Sequence, residues 1–237
     1  MAAMRYCPHC GTQLQAEAAL CVNCGYDLRP SPAPAPPMAP ASTREVQAAE
    51  TDLRYRISLN RVLLMTILSY GLYLFYWFYL TWKQYRDHTD EAVFPVWHAL
   101  TLMVPIYGLF RTHAHTRIFK ELMTGRGLLT TLAPGWAVVA VLSSSAFDWN
   151  ATRLSFGELT QATAVTISVL GILSIGLVAW LLMHIQGNLN TYWHHVSSGR
   201  LHDARLGIGE VIFAIIGVLL WLDTLATLLS ESYRLGY

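Results

Sequence analysis

The sequence predicts an all-α integral membrane body of about five transmembrane helices, preceded by a small β-hairpin head on a disordered Pro-rich linker. Three observations predict this. Of 237 residues, 54% are hydrophobic and only 13% charged, whereas a soluble domain carries about 25% charged residues. Residues 62–82 carry no charge, and a run of that length can cross a hydrocarbon core of about 30 Å as a helix. All of the cysteines fall at or before Cys24. The expected domains are residues 1–29 (head), 30–56 (linker and juxtamembrane segment) and 57–237 (multi-pass body).

In the head, Cys7-Pro8-His9-Cys10 and Cys21-Val22-Asn23-Cys24 are two CxxC pairs separated by a short loop. Four thiolates fill a tetrahedral Zn²⁺ shell, so Cys7, Cys10, Cys21 and Cys24 are read as ligands of one structural ion, a zinc ribbon closed to substrate. A redox dithiol or an iron centre fits less well, because so small a core needs metal in order to fold. Thiolate ligation requires a reducing compartment, which puts the N-terminus in the cytoplasm. Arg5 and Arg29 are balanced by Glu17 and Asp27, and the chain's net charge is +1. Nucleic acid is therefore a poor partner, and protein contact through the ribbon is the expectation.

Pro30, Pro32, Pro34, Pro36, Pro37 and Pro40 alternate with small residues. The segment reads as a polyproline spacer or an unstructured tether. No early apolar segment suggests a cleaved signal, so the run at residue 62 serves as an anchor.

Five spans are drawn, at residues 62–82, 94–110, 128–147, 164–185 and 207–229. Pro95 and Pro105 leave a kinked or re-entrant second segment open. Charge favours a crossing: Arg54, Arg56, Arg61, Arg111–Arg126 and Arg200–Arg205 then flank the inner side, against Lys83, Arg86, Arg153 and Arg234 outside. The protein is accordingly placed in the inner membrane, N-terminus inside and C-terminus outside, with the bilayer as its solvent. Tyr70-Gly71-Leu72 recurs as Tyr107-Gly108-Leu109. On this topology the recurrence makes an inverted repeat, and with so few matching positions chance is the expectation.

Gly71, Tyr73, Tyr76 and Trp77, in Gly71-Leu72-Tyr73-Leu74-Phe75-Tyr76-Trp77-Phe78, follow a Gly-x-Tyr-x-x-Tyr-Trp pattern. With the later Gln186-Gly187-Asn188-Leu189-Asn190, it resembles a family of small bacterial multi-pass membrane proteins of unknown function, some of which carry an N-terminal zinc ribbon. The resemblance covers about residues 57–195. It implies an integral membrane location and supplies no reaction.

Ionisable groups inside spans are the default place to look for function. His98 and Asp223 could pair on the outer side, and Glu210 lies at the depth of His184 and Gln186, either of which (or Arg111) could neutralise it. His113, His115, His194, His195 and His202 read as interfacial rather than as a second metal site. No Walker loop, GxSxG, GxGxxG or HExxH occurs, so no enzyme is expected. Two functions are carried forward. The first is a non-enzymatic adaptor or sensor that engages a protein through its ribbon. The alternative is a small transporter or channel using His98, Asp223 and Glu210, which would need a homo-oligomer to enclose a path.

Overall fold

The computed structural model describes residues 5–7, 11–14, 19–21, 23–24, 56–197 and 201–235. Cys10 and the predicted linker up to residue 55 lie outside the described residues. The chain divides into two compact units, residues 1–51 and 52–237.

In the first unit, β1 (Arg5–Tyr6) pairs antiparallel with β2 (Gln13–Leu14), Arg5 opposite Leu14 and Tyr6 opposite Gln13. The turn between them is closed by Cys7 N–H donating to the Thr12 carbonyl at 2.9 Å and Gly11 N–H to the Cys7 carbonyl at 2.9 Å. This is the expected hairpin, and it places a cysteine at the exit of β1.

The second unit is helical. Its elements are α1 (Leu59–Leu68), α2 (Tyr73–Thr89), α3 (Pro95–Leu100), a 3-10 turn (Thr101–Met103), α4 (Pro105–Thr124), α5 (Pro134–Ser155), α6 (Gln161–Val196), α7 (Ile208–Leu229) and α8 (Glu231–Leu235). The starts have local causes. Ser58 caps α1 by accepting from Arg61 N–H, and Thr160 caps α6 by accepting from Thr163 N–H. Prolines open α3, α4 and α5, where the first N–H groups need no helical partner.

The first drawn span does not continue as one helix. After Leu68 the chain enters left-handed geometry at Tyr70 (φ 57°) and Gly71 (φ 86°), with Gly71 N–H returning to the Thr66 carbonyl at 2.8 Å. This is how a glycine just past a helix end stops it. α1 and α2 then form a hairpin against α6. At its base, Ile57 N–H donates to Asn190 Oδ1 and His88 Nε2 lies 2.8 Å from the Tyr192 hydroxyl. At its tip, Gly71 faces Ile175, and Gly171 lies against the Tyr70 hydroxyl. Gly171 and Asn190 are about 28 Å apart along a helix rising 1.5 Å per residue, so residues 57–89 run out along α6 and come back.

The second drawn span behaves in the same way. α3 and the 3-10 turn rise to the level of the first tip, Val104 is extended (φ −91°, ψ 109°), and α4 returns alongside α2. Thr81 meets His115 and Tyr85 meets Phe119, so α2 and α4 run parallel. Tyr107-Gly108-Leu109 therefore stands beside the tip of a hairpin pointing the same way as the first, so the recurrence does not make an inverted repeat, in line with chance. Two of the described helices, α6 and α7, are long and apolar enough to cross a membrane, rather than five. Counting apolar residues measured length and missed two reversals.

α7 closes over the first hairpin. A Cβ on Gly217 would come within 2.3 Å of the Ser69 backbone, so the two chains touch without an intervening side chain. Trp221 Nε1–H donates to the Ile67 carbonyl at 2.8 Å. Tyr73, Trp77, Phe78, Trp82, Leu182 and Leu189 lie in the buried core between the hairpins and α6.

Candidate functional site

The Sγ atoms of Cys7, Cys21 and Cys24 all lie within 4.8 Å of one another, and among the described residues these three are the group that could hold a metal. Cys7 and Cys24 are 3.7 Å apart at sulfur. A disulfide would put them at about 2.05 Å, whereas two corners of a tetrahedron with Zn–S bonds of about 2.3 Å are separated by about 3.8 Å. The donor set and its spacing fit zinc. The cluster fits one structural Zn²⁺, which Cys7, Cys21 and Cys24 would hold; the expected fourth ligand, Cys10, is outside the described residues.

In the helical unit the best-built polar constellation is at the start of α7. Glu210 is wholly buried. Arg61 Nε donates to its Oε1 at 3.0 Å and Nη2 to its Oε2 at 2.6 Å, a two-point grip across the base of the first hairpin. Gly207 N–H donates to the same Oε2 at 2.9 Å, and Arg61 also donates to the Ala204 and Arg205 carbonyls. Arg61 is thus the partner of Glu210, in place of the expected His184, Gln186 or Arg111. A paired carboxylate with all its acceptors engaged is a structural fixture.

The motif residues from the two distant stretches meet in one chain of hydrogen bonds. Trp77 Nε1–H donates to Gln186 Oε1 at 2.7 Å, Gln186 Nε2 to Asn190 Oδ1 at 2.9 Å, and Asn190 Nδ2 to the Ile57 carbonyl at 2.8 Å. Tyr73 is fully buried in the core, and the Tyr76 ring lies over the backbone of Gly207 and Gly209, where a methyl group at either would overlap it. Gly71 forms the hairpin tip. The pattern reads as the frame that holds α2, α6 and the start of α7 together.

The four intramembrane candidates are not brought together. Asp223 is exposed and accepts from the Tyr233 hydroxyl at 2.6 Å. His98 stacks near Trp82, with ring centroids 4.3 Å apart. His184 stacks on Trp180 and reaches the Thr131 carbonyl at 3.3 Å. Glu210 is engaged with Arg61. Of the histidines expected in inner loops, His115 lies within α4, wholly buried between Phe78 and Phe119 and 2.9 Å from the Thr81 hydroxyl. It belongs to the core rather than to a metal site.

A well-formed cavity lies elsewhere, where both hairpin tips meet α5 and α6. It encloses about 430 Å³, and among the described residues Asp148 is its one carboxylate. Sequence reasoning missed Asp148 because the third span was drawn to end at residue 147. The signal was present in Ser144, Ser145 and Asp148, spaced three and four apart on one helix face.

A family model described as a zinc-ribbon domain matches residues 6–28. No curated protein and no solved structure matches the chain.

Proposed function

We propose that the protein is a membrane-embedded adaptor, in which the helical unit anchors the chain and the zinc-binding head engages a protein partner. The observation that carries this reading is the thiolate cluster of Cys7, Cys21 and Cys24, which Cys10 of the first CxxC pair would close, in a unit separate from the helical one. A metal shell filled by protein sulfur leaves no open position for substrate, so such a site shapes a surface rather than performing a reaction. The body supplies no competing assembly from the expected residues, because Arg61 neutralises Glu210 while Asp223 and His98 lie on different helices with partners of their own. The transporter reading through those three residues loses its support. The likeness of residues 57–195 to a multi-pass family agrees with anchoring.

The same proposal places the protein in an inner membrane with its N-terminus inside. α5, α6 and α7 cross, the two hairpins enter and return on the inner side, and the C-terminus is outside. α6 and α7 have the length and apolarity for this. The arrangement moves Lys83 and Arg86 to the inner side, leaving Arg153 and Arg234 as the basic residues of the outer flanks. That sharpens the positive-inside bias beyond what five crossings give.

The test is purification of the full chain from native membranes beside a Cys21→Ser/Cys24→Ser form. Partners that co-purify with the first and are lost from the second, with the helical unit still eluting as a folded species, support recruitment by the head. Identical partner lists reject it.

A further inference from the structure

The cavity at the hairpin tips has the make-up of a binding site. One wall is formed by Tyr70, Gly71 and Phe75 from the first hairpin and by Pro105, Gly108 and Thr112 from the second. The opposite wall is the seam of α5 and α6, where the Ser144 and Ser174 hydroxyls meet at 2.8 Å. Asp148 follows Ser144 by one helical turn, and both line the cavity. Its volume of about 430 Å³ falls within the range of small-molecule sites, which pair a largely apolar lining with a few convergent polar groups.

The charge of the lining selects the ligand. Among the described residues no Lys, Arg or His lines the cavity, and Asp148 does. A carboxylate without a cation disfavours an anion and rewards a positively charged donor. Tyr70 and Phe75, which also line the cavity, supply aromatic surface for an apolar or cationic group. The hydroxyls of Ser144, Ser145 and Thr112 add acceptors rather than charge. Two broken helices whose ends converge on such a pocket also resemble the way discontinuous helices build solute sites within membranes.

We infer that this cavity binds an amphiphilic organic ammonium ion, with its charged head on Asp148 and its apolar body between the two hairpin tips. The site is independent of the zinc-binding head.

The test uses the full chain in nanodiscs and measures binding of phenylbutylammonium and of the uncharged phenylbutanol by calorimetry, with protein-free nanodiscs as background. The expected result is saturable binding of the ammonium at one site per chain. Asp148→Asn should weaken it by about tenfold or more, as for loss of a charged hydrogen bond, and should change the alcohol by less than about twofold. Ser145→Phe, which keeps the carboxylate and fills an exposed position of the lining, should block both compounds. Chelation of zinc should leave binding unchanged. Ammonium uptake no greater than by empty nanodiscs, or equal affinity in Asp148→Asn, overturns the site. Should Asp148→Asn not elute as the wild type does, Ser145→Phe decides, and full binding by that variant overturns it as well.

Discussion

Arg61 grips both carboxylate oxygens of the fully buried Glu210 across 149 residues of sequence, joining the base of the first hairpin to the start of the last long helix. Removing one partner strands the other charge in the interior. Arg61→Leu in the purified full chain should cost about 3–5 kcal/mol in thermal or denaturant unfolding. The double change Arg61→Leu/Glu210→Leu removes both charges and should recover most of that loss. If the double variant were as unstable as the single one, the pair would not be the source of the effect.

Gly217 sets how closely α7 approaches the first hairpin. An added Cβ would meet the Leu68 carbonyl at 2.2 Å, and the obstacle is backbone, which cannot swing aside. Gly217→Ala should therefore destabilise by roughly 1–3 kcal/mol, the usual cost of overpacking. Gly176→Ala on α6 meets nothing within 4 Å and should be neutral or slightly stabilising, since alanine is the better helix former. Melting curves of the two variants side by side check the contrast.

The hydrogen-bonded chain Trp77–Gln186–Asn190–Ile57 predicts non-additive losses. Gln186→Leu leaves the buried Trp77 indole N–H without its acceptor and should cost about 1–3 kcal/mol. Adding Trp77→Phe removes that orphaned donor. The double variant should lose less than the sum of the two single variants, a coupling that a double-mutant cycle reads directly.

These residues also mark what the sequence could and could not reveal. Trp77, Gln186 and Asn190 stood out as motif residues, but a bond from Trp77 to Gln186 spans 109 positions and exists only once α2 lies against α6. The zinc ligands were readable because CxxC spacing is local and its chemistry narrow. Arg61 was read as a flanking charge of a span; its pairing with Glu210 depends on tertiary placement that charge counting does not contain. The reversal at Gly71 was hidden for a related reason. A glycine among apolar residues looks the same whether it continues a span or turns it back, whereas Pro95 and Pro105 at least announced a break.

Metal removal should separate the two units. Zinc analysis of the intact chain is expected to give one ion, and strong chelation should release it with loss of the β1–β2 hairpin, whose core is too small to hold without metal. Far-ultraviolet circular dichroism, dominated by the helices, should change little. Collapse of the helical signal on chelation would mean that the helical unit depends on the head.

The hairpin reading makes the opposite prediction from five crossings for the segment between α2 and α3. With five crossings residues 90–93 face outward; with a returning hairpin they face inward, on the side of Arg61 and Arg126. Asp90→Cys in intact cells should thus resist a membrane-impermeant maleimide and react only after permeabilisation. Phe156→Cys, at the far end of α5, should react from outside without permeabilisation. The native thiols of the head do not confuse the result in intact cells, because a zinc-bound head on the inner side is out of the reagent's reach. Labelling of Asp90→Cys from outside would require α2 to cross. That outcome is incompatible with the bonds tying both Ile57 and His88 to the same end of α6.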